Sequence, residues 1–225
     1  MIKAVFIDVD NTLLDFGLCA KSSMKQALAL RGIEFEEEMF PIFERRNDML
    51  WAEVEQGKIT VDELYEIRWE LVFRDMGLEL EGKPFEKDFL RFIHESAEKV
   101  DFAEELMKYL SAKYLVYIIS NAPHGQQCAR LENAGLLRYT SDVFTSELIG
   151  CAKPDGAFYD GCFSRLGDLR PDEVMLIGDS LSADIYGGIE YGLHTCWFNF
   201  KKSAVPDGLK AEHIVYSLQE ITEIL

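Results

Sequence analysis

The sequence predicts an α/β fold: a parallel sheet covered by helices on both faces, with an all-helical insertion after the first strand. Three observations predict it. From residue 100 onward, short β-rich apolar runs alternate with helical stretches, the pattern of strands joined by helical crossovers. Residues 16 to about 95 contain no convincing strand. Polar, chemistry-bearing clusters follow the strand runs, which places them at the sheet edge where parallel α/β sheets bind ligands.

The first element is Ala4-Val5-Phe6-Ile7, bounded by Lys3 and Asp8, which reads as a short buried strand. The strandless region then reads as about four helices. Thr60-Val61-Asp62-Glu63 has the form of a capping box opening a helix through about Asp75, and Gly32, Gly57, Gly77 and Gly82 read as helix stops. Beyond it come strand runs at 114–119, 174–177 and 193–198, with a weaker one at 213–216. Helical stretches lie at 101–111, 124–134, 155–166, 182–190 and 217–224. The implied organisation is a core of residues 1–15 and 96–225 and a helical cap of residues 16–95.

The 225 residues are 48% hydrophobic and carry a net charge of −17, enough to build a sizeable core. An acidic chain is a poor partner for nucleic acid or an anionic membrane, since both need a basic face. An anionic substrate must therefore meet a local positive site. The five cysteines, Cys19, Cys128, Cys151, Cys162 and Cys196, are irregularly spaced with no CxxC and read as reduced thiols. The four histidines are scattered, which argues against zinc. The N-terminus reaches Asp8 too soon for a signal peptide. The expectation is a soluble cytoplasmic protein.

Asp8-Val9-Asp10-Asn11-Thr12 directly follows the first strand. Two carboxylates two residues apart repel each other, and a metal ion relieves the repulsion; Mg²⁺, with its oxygen-only preference, suits them. One aspartate can then act as nucleophile while its neighbour handles protons. The plainer reading is an acidic turn capping a helix. Ser120-Asn121 ends the second strand run, where a hydroxyl and a backbone N–H suit a phosphate oxygen, or merely cap the next helix. Lys153, before Pro154, could neutralise a phosphate or lie solvated on the surface. Gly178-Asp179-Ser180 follows the strand at 174–177, with Asp184 a turn later. Glycine permits a sharp turn there, which would aim Asp179 at the same edge as Asp8 with Asp184 in support.

Jointly, these clusters resemble the four motifs of the haloacid dehalogenase (HAD) superfamily of aspartate-nucleophile phosphatases: Asp8/Asp10/Thr12, Ser120/Asn121, Lys153 and Asp179/Asp184. Asp10-Asn11-Thr12-Leu13-Leu14-Asp15-Phe16-Gly17, Leu50-Trp51, Glu55-x-Gly57-Lys58-x-Thr60 and Gly178-Asp179-Ser180-Leu181-x-Ala183-Asp184-Ile185 are similar, more narrowly, to bacterial pyrimidine 5′-nucleotidases of the YjjG/YfnB type. Ala122-Pro123 departs from the Thr/Ser-Asn-Gly sequence usual in the family, and His194 from a common aspartate.

The resemblance implies a Rossmann-like core of the HAD fold and a Mg²⁺-dependent phosphomonoesterase, monomer or homodimer, working on a small phosphorylated metabolite through an aspartyl-phosphate. Asp8 is the implied nucleophile and Asp10 the acid/base. Thr12, Ser120, Asn121 and Lys153 are the implied phosphate contacts. The metal would be held by Asp8, the Asp10 backbone carbonyl and Asp179, with Asp184 behind them. An aspartate at position 10 favours phosphate esters over dehalogenation. Phe16, Trp51, Tyr65, Trp69 and Phe73 are candidates for stacking on a base, Phe16 and Trp51 foremost, although aromatics at helical spacing are mostly core. Alternatives are a sugar-phosphate phosphatase, for example for N-acylneuraminate 9-phosphate, a phosphomutase, or a catalytically silent regulator that binds a phosphometabolite.

Overall fold

Six strands pair in parallel throughout, in the order β3-β2-β1-β4-β5-β6, in a computed structural model that describes residues 1–225. The chain divides into two compact units, Met1–Asp15 with Ala97–Leu225 and Phe16–Ser96. In chain order the elements are β1 (Ala4–Ile7), α1 (Phe16–Ala29), α2 (Met39–Glu55), α3 (Val61–Met76), α4 (Gly82–Glu95), α5 (Ala103–Ser111), β2 (Leu115–Ser120), α6 (His124–Asn133), β3 (Asp142–Thr145), α7 (Ser146–Ile149), α8 (Gly156–Phe163), β4 (Val174–Gly178), α9 (Gly187–Tyr191), β5 (His194–Phe198), β6 (His213–Val215) and α10 (Leu218–Ile224).

β1 is fully buried because it lies between β2 and β4, with Ala4 facing Leu115 on one side and Val174 on the other. Successive side chains point to opposite faces, so each face collects its own core. Val5 and Ile7 pack with Val116, Ile118 and Ile177 beneath Leu106 and Leu110 of α5, Leu131 of α6 and Ile221 of α10. Ala4 and Phe6 pack on the other face with Tyr117, Ile119 and Leu176 against Phe158, Tyr159 and Cys162 of α8. That two-sided burial explains the unbroken apolar runs. The sequence reading did not anticipate β3. Its Asp-Val-Phe-Thr run holds two apolar residues, enough for an edge strand paired to β2 on one side only. The stretch read as a helix at 182–190 is a π-helical turn over Leu181–Tyr186 continued by α9.

The second unit is four helices around an aromatic core. Trp69 of α3 stacks on Phe43 of α2 with ring centroids 5.1 Å apart and packs at 4.2 Å on Phe85 of α4. Phe73 and Phe89 complete the cluster. Trp69 and Phe73 are thus buried core, so of the two readings their spacing allowed, base stacking or core, the core reading holds for both. Thr60 caps α3 through a reciprocal capping box with Glu63, and Gly77 ends that helix in the left-handed region. Gly82 is not a helix stop; it opens α4. A Cβ there would lie 2.5 Å from the Glu70 backbone nitrogen, so close packing of α4 on α3 demands glycine. No helix in the chain is long and apolar enough to cross a membrane.

Candidate active site

Four adjacent strands deliver the four sequence clusters to one sheet edge. Asp8 follows β1, Ser120 ends β2, Lys153 lies on the connection after β3 and α7, and Asp179 follows β4. The turn after β1 is tight. The Val9 carbonyl accepts from the N–H groups of Thr12, Leu13 and Leu14, and Asn11 takes a positive φ of 61°. Asparagine tolerates that left-handed region better than most residues. The turn buries Thr12 completely and leaves its hydroxyl without a hydrogen-bond partner.

Lys153 is the hub. Its buried ammonium donates to Asp8 Oδ1 at 2.8 Å, to Asp184 Oδ1 at 2.6 Å and to the Ile119 carbonyl at 3.2 Å. The Asn121 amide grips the Lys153 backbone at both ends: Nδ2 donates to the Lys153 carbonyl at 2.9 Å and Oδ1 accepts from the Lys153 N–H at 2.8 Å. The side chain of Asn121 is therefore spent on aligning Lys153, and what this residue can offer a phosphate is its main-chain N–H. Asp184 Oδ2 accepts from the Ser180 N–H at 3.1 Å. A Cβ at position 178 would lie 2.2 Å from that same Oδ2, so Gly178 is the condition for bringing Asp184 against β4. The indole of Trp197 donates to the Asp179 carbonyl at 2.8 Å and steadies the loop.

Asp8, Asp179 and Asp184 each present a carboxylate oxygen, all within 4.8 Å of one another. Three carboxylates against one ammonium leave two negative charges in a largely buried pocket. Burial pushes Asp8 up to about 7; Lys153 opposes the shift and Asp184 adds to it. Asp179 rises well above the usual carboxylate range through burial and the charges of Asp8 and Asp184. Burial alone would depress Lys153, but Asp184 and Asp8 outweigh it and raise the lysine. An all-oxygen donor set carrying a twofold negative excess fits a hard divalent cation.

Ser120 Oγ accepts from the Ala122 N–H at 3.2 Å and from Gln127 Nε2 at 2.9 Å. Both lone pairs are occupied, so the hydroxyl proton remains to be donated. Pro123 stands just ahead of α6, and the His124 N–H donates to Glu147 at 2.8 Å. The departure at Ala122-Pro123 thus keeps a well-anchored loop. Asp10 turns its carboxylate toward Gln127 and Arg130 of α6. Sequence reasoning passed over both of these residues; the available signal was two long polar side chains three apart in a helix whose other inward residue is Leu131. Phe16 and Trp51 lie in the helical unit, each half-buried. Phe16 sits beside the aromatic core and Trp51 beside Leu50, Val54 and Leu64.

A doubly covered parallel sheet with an acidic, lysine-bridged pocket at its edge defines the class, a Rossmann-like α/β protein with its polar site outside the carboxyl ends of the strands. The chain belongs to the haloacid dehalogenase-like hydrolases, whose family model matches residues 2–192. It is 33% identical to the HAD-hydrolase YfnB of Bacillus subtilis over 99% of this chain and 95% of that protein. A solved structure of YfnB, bound to magnesium, superposes with a TM-score of 0.93 at 30% identity, covering 100% of this chain and 98% of the other. Pyrimidine 5′-nucleotidase PynA of Streptococcus pneumoniae is 29% identical over 99% of this chain and 94% of its own length. Pyrimidine 5′-nucleotidase YjjG of Escherichia coli is 29% identical over 98% and 96%. The chain is accordingly an enzyme, a phosphatase of this family.

Proposed function

We propose that the chain is a Mg²⁺-dependent nucleoside 5′-monophosphate phosphatase with a preference for pyrimidines. The observation that carries the phosphatase chemistry is Lys153 bridging Asp8 and Asp184 at the end of β1, two residues ahead of a second aspartate. In the first step an Asp8 oxygen attacks phosphorus. The Asp8 O–P bond forms, the ester P–O bond breaks, and the proton of Asp10 passes to the departing oxygen. In the second step water attacks the aspartyl-phosphate and Asp10 takes its proton. Inorganic phosphate leaves and Asp8 is restored. Lys153, the Ser120 hydroxyl, the Asn121 main chain and the unpartnered Thr12 hydroxyl meet the phosphoryl oxygens, where preorganised donors stabilise developing charge.

Asp8, Asp179 and the Asp10 backbone carbonyl would hold the metal, with Asp184 behind them, and the cation would supply the charge that lets an anionic ester enter an acidic pocket. The pyrimidine preference is supported by the names of PynA and YjjG. Phe16 and Trp51 are the proposed base contacts, because an aromatic face offers a base stacking area. The five free cysteines accord with a cytoplasmic setting. The direct test is release of inorganic phosphate from uridine 5′-monophosphate after dialysis against chelator. Activity is expected to vanish and to return with Mg²⁺, but poorly with Ca²⁺, whose larger, looser shell misplaces its ligands. Full turnover in excess chelator would overturn the metal requirement.

A further inference from the structure

α6 turns two long polar side chains inward, and neither belongs to the four clusters at the sheet edge. Gln127 and Arg130 are both completely buried, three residues apart on one helix face. Arg130 donates through Nη1 to Asp10 Oδ1. Gln127 donates through Nε2 to Asp10 Oδ2 at 2.7 Å. Both oxygens of the Asp10 carboxylate are therefore held from a single helix. Arg130 Nη1 also donates to Gln127 Oε1 at 3.3 Å, which settles the orientation of the amide: its oxygen faces the guanidinium and its nitrogen faces Asp10.

The expense of this arrangement is informative. A fully buried guanidinium is a poor way to gain stability, since well-packed apolar residues of similar volume commonly do as well or better. α6 already has Leu131 to anchor it to the core. What Arg130 and Gln127 add together is a fixed direction for one carboxylate, while Gln127 also holds the Ser120 hydroxyl oxygen at 2.9 Å. A free aspartate has two side-chain torsions and a choice of rotamers; with both oxygens held it has one placement, and each oxygen keeps a second lone pair on which a proton can ride.

We infer that Gln127 and Arg130 are positioning residues that clamp the Asp10 carboxylate in the orientation needed to protonate the leaving oxygen. The inference rests on the proposed role of Asp10 as acid/base. The step it serves is the first one: the Asp8 O–P bond forms, the ester P–O bond breaks, and the Asp10 proton passes to the oxygen that carries away the bonding pair. The clamp contributes no atom to the reaction; it sets distance and angle, to which proton transfer is steeply sensitive.

The test compares two esters of similar size with opposite needs for a proton. p-Nitrophenyl phosphate has a leaving group that departs readily as an anion. Benzyl phosphate has an alkoxide that must be protonated. kcat/KM for each, with Mg²⁺ saturating, reports the step that forms the aspartyl-phosphate. Asp10→Asn is the reference and should lower kcat/KM for the benzyl ester much more than for the nitrophenyl ester. Arg130→Met and Gln127→Met should show the same skew, at least tenfold between the two esters, and Arg130→Lys should recover part of it. Thermal melts verify folding; should Arg130→Met fail to fold, Gln127→Met and Arg130→Lys decide. Equal losses on both esters in the clamp variants, beside a clear skew in Asp10→Asn, would overturn the clamp and leave the role of Asp10 standing. Absence of the skew in Asp10→Asn itself would remove the acid/base reading and the clamp with it.

Discussion

Both units of this chain bury cations among carboxylates, and two of these cations, Arg68 and Lys153, keep different company. In the helical unit Arg68 donates to a single carboxylate, Glu86, and to the amide oxygen of Asn47 at 3.0 Å. In the sheet unit Lys153 donates to Asp8 and Asp184, with Asp179 in the same cluster. The first set is balanced, one charge against one, and all its members are buried. The second holds two surplus negative charges. Packing alone explains the first. Nothing within the chain satisfies the second, and so the second reads as a site made to receive something positive.

Replacing one member of each set is the sharpest way to separate them. Asp8→Asn removes a charge from the overcharged cluster and should leave the melting temperature unchanged or higher, since burial and neighbouring Asp184 already push Asp8 up to about 7. The same substitution should take phosphate release to background, because an amide is no nucleophile. Near-normal turnover in the variant would end the assignment of Asp8. Asp10→Asn should be milder, lowering kcat by about 10²–10⁴-fold. Mg²⁺ affinity, measured by calorimetry, should survive, because the proposed ligand at that position is the backbone carbonyl. Collapse of Mg²⁺ affinity with normal saturated turnover would reverse that role.

The helical counterpart should behave in the opposite sense. Glu86→Ala leaves Arg68 buried and uncompensated, which typically destabilises by about 3–5 kcal/mol. Chemical denaturation should detect that loss. The molecules that remain folded should keep their turnover on p-nitrophenyl phosphate, a substrate with no base to recognise. A variant as stable as the parent would show that the Arg68–Glu86 pair is not the balanced structural set described here.

The same contrast explains what could be read from the sequence. Asp8, Ser120 and Asp179 were legible because each sits at the end of an apolar run, so that strand position and chemistry coincide in a few consecutive residues. Lys153 was legible as a residue but its strand was not: β3 is an edge, paired on one side, and carries only Val143 and Phe144 as apolar signal. Gly82 was misread because a glycine that permits close helix packing looks, in sequence, like one that ends a helix; the distinguishing contact is with Glu70 on another element. Gln127 and Arg130 were passed over for a related reason. Their partner Asp10 lies 117 and 120 residues away, and nothing local distinguishes an inward polar face from a solvated one. Trp69 and Phe73 show the converse. Their spacing fitted either a stacking surface or a core, and only the packing of α3 against α2 and α4 assigns them to the core.

The smallest expected effect tests where specificity resides. If the sheet unit supplies the chemistry and the helical unit the selectivity, substitutions in the helical unit should discriminate among substrates without slowing the reaction of those they do not recognise. Phe16 and Trp51 are half-buried, unlike the fully buried Trp69 and Phe73. Phe16→Ala and Trp51→Ala should each raise KM for uridine 5′-monophosphate by roughly tenfold, about 1.4 kcal/mol, within the range found for stacking of one base on an aromatic ring. KM for a sugar phosphate should hardly move, and melts of both variants control for lost packing. The parent enzyme provides the companion comparison, kcat/KM on uridine and thymidine monophosphates against a panel of sugar phosphates, including N-acylneuraminate 9-phosphate. A nucleotide preference that the two alanine variants erase would tie selectivity to the helical unit. A sugar phosphate preferred by roughly tenfold, again about 1.4 kcal/mol of transition-state preference, would end the nucleotidase reading. It would leave the phosphatase chemistry untouched, because that chemistry stands on Asp8, Asp10 and Lys153, none of which lies in the helical unit.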